Sequence, residues 1–208
     1  MKRIEISNAT IRKHGFKDTE ISLSEWNYVP FWSGKSRVES RDGLAQTMAA
    51  PGSSFTVAVL SYMQDTELDM AQYYSAFGTI FRFGLFDASG VPKKAIHALE
   101  AYHKMLQLGT RVSTSGNKQE TGVSIIASTQ LSDGKLAVLL SNFEDEVSRY
   151  KLHIKNVPFK YKLMCSEYLL DDKHNLDLDR EQILSSKEFS IIVDLPKSSV
   201  RLLLFESK

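Results

Sequence analysis

Ile21-Ser-Leu-Ser-Glu-Trp-Asn-Tyr-Val-Pro30 is a short apolar run that ends in a carboxylate, followed at once by two aromatic residues and an amide. Residues 20–25 read as a strand that delivers Glu25 at its C-terminal tip. The residues before it set the fold class. Residues 4–14 carry few apolar positions, but Arg12-Lys13-His14 before Gly15 has the form of a helix end, with cations in the last turn and then a residue free to turn left-handed. Phe16 to Glu20 is then a short loop, and helix, loop and strand in that order make a step of α/β type. In an α/β barrel the loops after the strands converge over one pocket, which makes Glu25 a candidate reacting group.

On the other side of Glu25, Trp26, Tyr28, Phe31 and Trp32 put both tryptophans of the chain and two more aromatics within eight residues. Flat apolar rings are surfaces on which sugar faces stack, and a carboxylate among them can work on a sugar ring. The competing reading is a buried aromatic core beside a solvated glutamate. Ser33 to Arg41, polar and containing Gly34, reads as a loop on the rim of a pocket. Residues 42–50 begin a helix that Pro51-Gly52 interrupts. Phe55, Val57, Ala58, Leu60 and Met63 mark a mostly buried helix capped by Ser53 or Ser54 and ended by Asp65-Thr-Glu.

Leu68 to Ala76 is a second strand candidate, and Ile80 to Phe86 a loop with strand character. The next helix spans 91–107, with Pro92 in its first turn, a stripe of Ala95, Ile96, Leu99, Tyr102, Met105 and Leu106, and Gly109 as its stop. Residues 1–109 thus read α, β, α, β, α. Residues 110–121 are polar and aperiodic, a linker. From 122 to 208 the texture changes to strands: 123–128, 136–141, 148–154, 161–170, 190–195 and 200–206, rich in β-branched and aromatic residues and broken by turns such as Asp133-Gly134. Short strands without a long intervening helix predict an antiparallel β-sandwich. The fold class is α/β plus all-β.

Composition narrows the partners. Twenty-six basic against 25 acidic side chains leave a formal charge of +1, so nothing draws the chain electrostatically to nucleic acid or an anionic membrane, and a neutral carbohydrate is compatible. Cys165 is the one cysteine, which rules out an intrachain disulfide or a thiolate cluster and suggests a buried strand position. The start has no secretory h-region and no run approaches a membrane span, which predicts a soluble protein unless an N-terminal piece is missing. Asp171, Asp172, Asp177 and Asp179 around His174 match no EF-hand spacing and read as a solvated loop, so no metal is expected. Ser24 lacks a nucleophile elbow, no Gly-rich phosphate loop occurs, and no cofactor is implied.

Several blocks in order carry a family resemblance: Gly15-Phe-Lys-Asp-Thr-Glu-Ile-Ser-Leu-Ser-Glu-Trp-Asn27, Leu60-Ser-Tyr-Met-Gln-Asp-Thr66, Asp69-Met-Ala-Gln-Tyr-Tyr74, Phe83-Gly-Leu-Phe-Asp87, Gly90-Val-Pro-Lys-Lys-Ala95 and Ala98-Leu-Glu-Ala-Tyr102. They resemble the C-terminal part of the retaining glycoside hydrolases that include β-xylosidases and α-L-iduronidases, a (β/α)8 barrel followed by a β-sandwich. The match extends over about the first half of the chain. It implies that strand 20–25 is the seventh barrel strand and Glu25 the nucleophile, that residues 68–76 are the eighth strand and 91–107 the last barrel helix, and that Trp26, Asn27 and Tyr74 lie near the sugar pocket.

A whole barrel takes eight strands and about 200 residues or more, whereas about 110 residues and two βα units precede the sandwich region here. The acid/base of the related enzymes follows an Asn-Glu pair on the fourth strand, and this sequence has no such pair. Glu20, at the far end of the strand, and Glu39, in a polar loop, are no substitutes. The expectation is a fragment that supplies Glu25, lacks the acid/base and is inactive alone. Its partners are a carbohydrate and a second chain or oligomer that completes the barrel; failing that, residues 1–109 pack on the sandwich. The alternative is a non-catalytic sandwich module, for carbohydrate binding or interaction, with a vestigial barrel segment.

Overall fold

The computed structural model describes residues 2–30, 37–77, 84–157 and 162–208. Phe31, Trp32, residues 33–36 of the expected loop, most of the 80–86 segment and Tyr161 lie outside them. The first part runs α1 (Lys2–Lys13), β1 (Ser22–Trp26), α2 (Arg37–Met48), α3 (Ala50–Met63), β2 (Met70–Tyr73) and α4 (Lys94–Leu106). β1 and β2 pair in parallel, as strands joined through helices do. At the end of α1, Gly15 takes a positive φ of 91°, and Arg12 gathers the following loop by donating to the carbonyls of Phe16 (2.8 Å) and Thr19 (3.0 Å).

The second part holds β3 (Thr110–Val112), β4 (Val123–Gln130), β5 (Lys135–Asn142), β6 (Arg149–Ile154), β7 (Leu163–Leu170), β8 (Asn175–Leu184), β9 (Phe189–Asp194) and β10 (Ser199–Ser207). They form a six-stranded antiparallel sheet in the order β3-β4-β5-β10-β7-β8 and a two-stranded β6–β9 sheet. The α/β portion is therefore followed by an antiparallel sandwich, as the sequence predicts.

Period-two alternation along the central strand β10 sorts its side chains between two cores. Leu203 and Phe205 meet Val138, Leu163, Cys165, Leu152 and Val193 between the two sheets. Val200 and Leu202 point the other way, onto Val57 of α3 and Ala98, Ala101 and Met105 of α4. The large sheet is thus covered by helices on one face and by β6–β9 on the other. Small residues at Ala98 and Ala101 let α4 approach closely, and fully burying a side chain such as Met105 or Leu202 contributes about 1.5–3 kcal/mol. Polar bonds fix the same contact: Ser141 Oγ donates to the Ser54 carbonyl at 2.6 Å, the Tyr62 hydroxyl to Val123 and the Ser128 hydroxyl to Met105. The expected packing of residues 1–109 on the sandwich is what these contacts build.

Several local readings need correction. Residues 37–48 form α2 where Ser33 to Arg41 reads as loop, because a polar surface helix lacks an apolar stripe. Pro51-Gly52 does not interrupt a helix; Pro51 sits in the first turn of α3, where no N–H donor is needed. A side chain at Gly52 would collide with the Thr47 carbonyl at the end of α2. Ser53 and Ser54 do not cap α3 but bond back to the carbonyls of Ala50 (2.8 Å) and Pro51 (3.1 Å), while Asp172, from the β7–β8 turn, accepts the Ala50 N–H at 3.2 Å.

Pro92 precedes α4, whose N-cap is Lys93, and Gly109 stops it with a φ of +82°. Of the expected linker, residues 110–112 instead form β3 on the edge of the large sheet. The acidic run 171–179 is not all loop: residues 171–174 form the tight β7–β8 turn and 175–179 belong to β8, with Asp172, Asp177 and Asp179 exposed. Its carboxylates are engaged: Asp171 accepts from the His174 N–H at 2.9 Å, Asp177 from the Asn175 N–H at 3.0 Å, and Asp179 pairs with Arg201. Lys94 adds its own cation there, 2.9 Å from the His174 carbonyl and 2.7 Å from Asn175 Oδ1.

Candidate active site

Leu23 stands opposite Ala71 and Trp26 opposite Tyr73, so β1 takes three steps where β2 takes two, a β-bulge at Ser24 and Glu25 across from Gln72. Strict alternation would put Leu23 and Glu25 on one face and Trp26 on the other. The extra residue resets the phase: Leu23 and Trp26 are both part-buried, and Ser24 and Glu25 are both exposed. The Glu25 carboxylate has no hydrogen-bond or ion-pair partner among the described residues. It sits at the C-terminal end of a parallel strand, where α/β folds assemble chemistry.

The neighbours of Glu25 fall into two groups. Tyr74 is 49% exposed just beyond β2, and its N–H donates to the Trp26 carbonyl at 2.9 Å, so Tyr74 and Glu25 lie at the same strand ends. The peptide between Tyr74 and Ser75 is cis. Asn27 faces inward on the backbone. Its Nδ2 donates to the Tyr74 carbonyl, which ties the two strand ends together, and its Oδ1 accepts the N–H of the following residue, Tyr28, at 2.6 Å. Trp26 packs edge-on against Tyr73, with ring centroids 5.1 Å apart, and its indole N–H is buried without a partner among the described residues. Burial pushes the Tyr73 phenol up to about 12, against hydrogen bonds with Thr56 and Asn27 that pull it down.

The aromatic cluster is thus split. Tyr28 forms a three-ring contact with Phe55 of α3 and Phe143 after β5, at 5.0 and 5.3 Å, and this joins the α/β portion to the sandwich. Core packing, the competing reading of these rings, holds for Tyr28. Gln72, exposed on β2 across from the bulge, is a residue that sequence reasoning missed. Counting back from the half-buried Tyr73 by strand alternation would have found it. Among the described residues no group of three or more His, Cys, Asp or Glu side chains converges as a metal site, and no helix is long and apolar enough to cross a membrane.

No family model matches the sequence, and no curated protein matches it significantly. Solved structures do. A glucosidase from Croceicoccus marinus superposes with a TM-score of 0.76 at 18% identity, over 96% of this chain and 48% of that one. A GH39 enzyme from Xanthomonas axonopodis pv. citri gives 0.70 at 13% identity, over 99% and 48%. A monomeric β-xylosidase from Caulobacter crescentus CB15 gives 0.68 at 11% identity, over 98% and 48%. These likenesses show the fold: the α/β portion and sandwich together correspond to part of a glycoside hydrolase architecture, a barrel remnant followed by a sandwich. The chain spans about half the length of each of these structures.

Proposed function

We propose that this chain is the C-terminal portion of a retaining glycoside hydrolase of β-xylosidase type, in which Glu25 is the nucleophile and the acid/base comes from polypeptide outside residues 1–208. The observation that carries the reading is the Glu25 carboxylate itself, held out by a bulge at the C-terminal end of a parallel strand and left without a partner among the described residues. Parallel strands are ordinarily covered on both faces, and a two-stranded sheet is marginal alone. Among the described residues β1–β2 pairs with no third strand, and Met70 and Phe77 are 53% and 56% exposed beside it. The six preceding βα units of a barrel are the occupant that such a sheet calls for, and the solved structures are twice as long as this chain.

In the completed enzyme a Glu25 oxygen bonds to the anomeric carbon as the glycosidic C–O bond breaks, and the acid/base gives its proton to the departing oxygen. Water then attacks the same carbon, returns a proton to the acid/base and frees Glu25. The two carboxyl groups must stand about 5–5.5 Å apart. Tyr74 flanks the sugar, Trp26 packs behind the strand end on Tyr73, and Asn27 holds the strand ends. Losing an acid/base costs about 10²–10⁴ in rate, and losing most of the pocket removes substrate positioning, so residues 1–208 alone do not turn over glycosides.

The test is mass spectrometry after exposure to an activated 2-deoxy-2-fluoro-xyloside, with and without a polypeptide carrying six βα units and an Asn-Glu pair. The expected adduct is on Glu25, appears with the complementary polypeptide and disappears in Glu25→Gln. Aryl-xyloside turnover by residues 1–208 alone that Glu25→Gln abolishes would overturn the acid/base reading. A completed enzyme labelled elsewhere would overturn the nucleophile and favour a non-catalytic module.

A further inference from the structure

We propose that Gln72 is a positioning residue for Glu25: its side-chain amide donates to one oxygen of the Glu25 carboxylate and leaves the other oxygen free to attack the anomeric carbon. That role rests on the reading above, in which Glu25 is the nucleophile of a completed enzyme.

The bulge brings the two residues together. Across it, Ser24 and Glu25 of β1 stand opposite a single residue of β2, Gln72. The next pair, Trp26 and Tyr73, packs ring to ring on the face turned toward Thr56 of α3. Ser24, Glu25 and Gln72 are all exposed. A hydroxyl, a carboxylate and an amide from two adjacent strands therefore share the face of β1–β2 that α3 does not cover. Neighbouring strands lie about 4.8 Å apart, a gap that the two methylenes and the amide of a glutamine span.

The chemistry of the nearby donors singles out Gln72. β1 and β2 contain no Lys, Arg or His, so no cation of these strands stands beside Glu25. Their side-chain donors are Ser22, Ser24, Trp26, Gln72 and Tyr73. Trp26 and Tyr73 pack on the helix side, Ser22 lies further back along β1, and Ser24 has a one-carbon stem on the same strand as Glu25. Gln72 alone combines a place on the facing strand with the reach to cross to it. Its amide is also available: Nε2 rests 3.3 Å from the Met70 thioether, a weak acceptor, and no stronger partner of Gln72 lies among the described residues. Catalytic hydrogen bonds are often long before a site is filled and tighten in the complex. Enclosing this face in a barrel strips water from both groups, and an amide and a carboxylate left dry are costly unless they bond to each other. A neutral donor suits the step, because it fixes the rotation of the carboxylate without a full positive charge to quench it. When water later displaces the sugar, the bonding electron pair returns to Glu25 and Gln72 again holds the carboxylate.

Two measurements test the role. In the 208-residue chain alone, NMR follows the side-chain NH2 signals of Gln72 while Glu25 is titrated with acid. They are expected to move with that ionisation in the parent and to stay flat in Glu25→Gln. Signals that ignore the titration, or that move alike in both proteins, overturn the proposal. In the enzyme completed by a polypeptide carrying six βα units, Gln72→Met keeps the length of the side chain and removes the donor, while Gln72→Glu sets a second carboxylate in its place. Both are expected to slow labelling of Glu25 by the 2-deoxy-2-fluoro-xyloside by about 10- to 100-fold, the cost of a misplaced reacting group. Both should lower kcat for an aryl xyloside at unchanged KM and keep the circular dichroism spectrum of the parent. A raised KM at unchanged kcat overturns the role in favour of a direct contact between Gln72 and a sugar hydroxyl, and unchanged kinetics overturn it outright. A parent labelled at another residue fails the nucleophile reading as well, whereas a parent labelled at Glu25 whose Gln72 variants react at full rate fails this proposal alone.

Discussion

Asn27 and Tyr74 are joined across the ends of β1 and β2, the Asn27 side-chain amide donating to the Tyr74 carbonyl while its oxygen accepts the N–H of Tyr28. One side chain thereby locks the two strand tips that frame Glu25. It sits just past the bulge, where the ladder between the strands loses its register and a replacement tie is needed.

Asn27→Ala is expected to cost about 0.5–1.5 kcal/mol, the net worth of a hydrogen bond whose carbonyl partner at Tyr74 is reached by water. Urea unfolding followed by tryptophan fluorescence measures it, since Trp26 reports on this corner of the fold. A variant as stable as the parent would mean that the bridge is not formed in solution.

Met105→Ala removes a side chain that is 1% exposed at the contact between α4 and the large sheet, and is expected to cost about 2–5 kcal/mol. Because Val57, Met105, Leu139 and Leu202 share one core, helices and sheet should unfold together. Tryptophan fluorescence and far-ultraviolet dichroism should give one coincident transition in parent and variant. Two separated transitions would show that residues 1–109 fold independently of the sandwich.

Stability should fall in acid through Asp145. Its carboxylate accepts from Lys118 Nζ (2.8 Å), the Val147 N–H (2.9 Å) and Thr121 Oγ1 (3.2 Å), and the Lys118 bond above all holds it below the usual carboxylate range. A depressed folded-state value means that the stabilisation is fully present above the ordinary carboxylate value of about 3.9 and is lost as pH falls from there through the folded value. Urea midpoints measured across that range should drop less steeply in Asp145→Asn and in Lys118→Met than in the parent. Parallel curves would remove Asp145 from the account.

Much of this fold is legible in the sequence because its elements have one wet face and one dry face. Of the stripe Ala95, Ile96, Leu99, Tyr102, Met105 and Leu106 that marks α4, Ala95, Tyr102 and Met105 are buried while Leu106 is exposed, and in β6 buried Leu152 and Ile154 alternate with exposed Lys151 and His153. Where an element is polar nearly all round, the pattern fails. β8 shows one buried residue, Leu176, in ten positions, because it is an edge strand whose exposed Asp177, Asp179 and Glu181 guard an open side, and Asp177 and Asp179 read in sequence as part of a loop. At the candidate site, Glu25 is legible from its place at a strand end. The bulge that turns it outward is not, because a one-residue mismatch between β1 and β2 exists only once both strands are paired. The rings of Trp26 and Tyr28 resemble an open stacking surface in sequence and are found packed on Tyr73 and on Phe55 and Phe143.

Cys165 provides a reporter of opening. It is fully buried between the sheets, and burial pushes its thiol up to about 12. Since the thiolate is the reactive form, an aromatic disulfide reagent at neutral pH should leave the native protein unlabelled and modify one thiol per chain after denaturation. Rapid labelling of the native protein would mean that β7 and β10 separate readily.

β10 lies between β5 and β7, with helices on one side of it and the smaller sheet on the other, yet it is the last of the three strands to be synthesised. A nascent chain that has already made α3, α4, β5 and β7 therefore cannot join β5 to β7, or finish the sheet under its helices, until residues 199–207 emerge. Through that interval the part of the helix faces that packs on Val200 and Leu202 stands open to chaperones and to neighbouring ribosomal products, so a stop codon upstream of Ser199 would yield a sticky, protease-sensitive product rather than a smaller working domain.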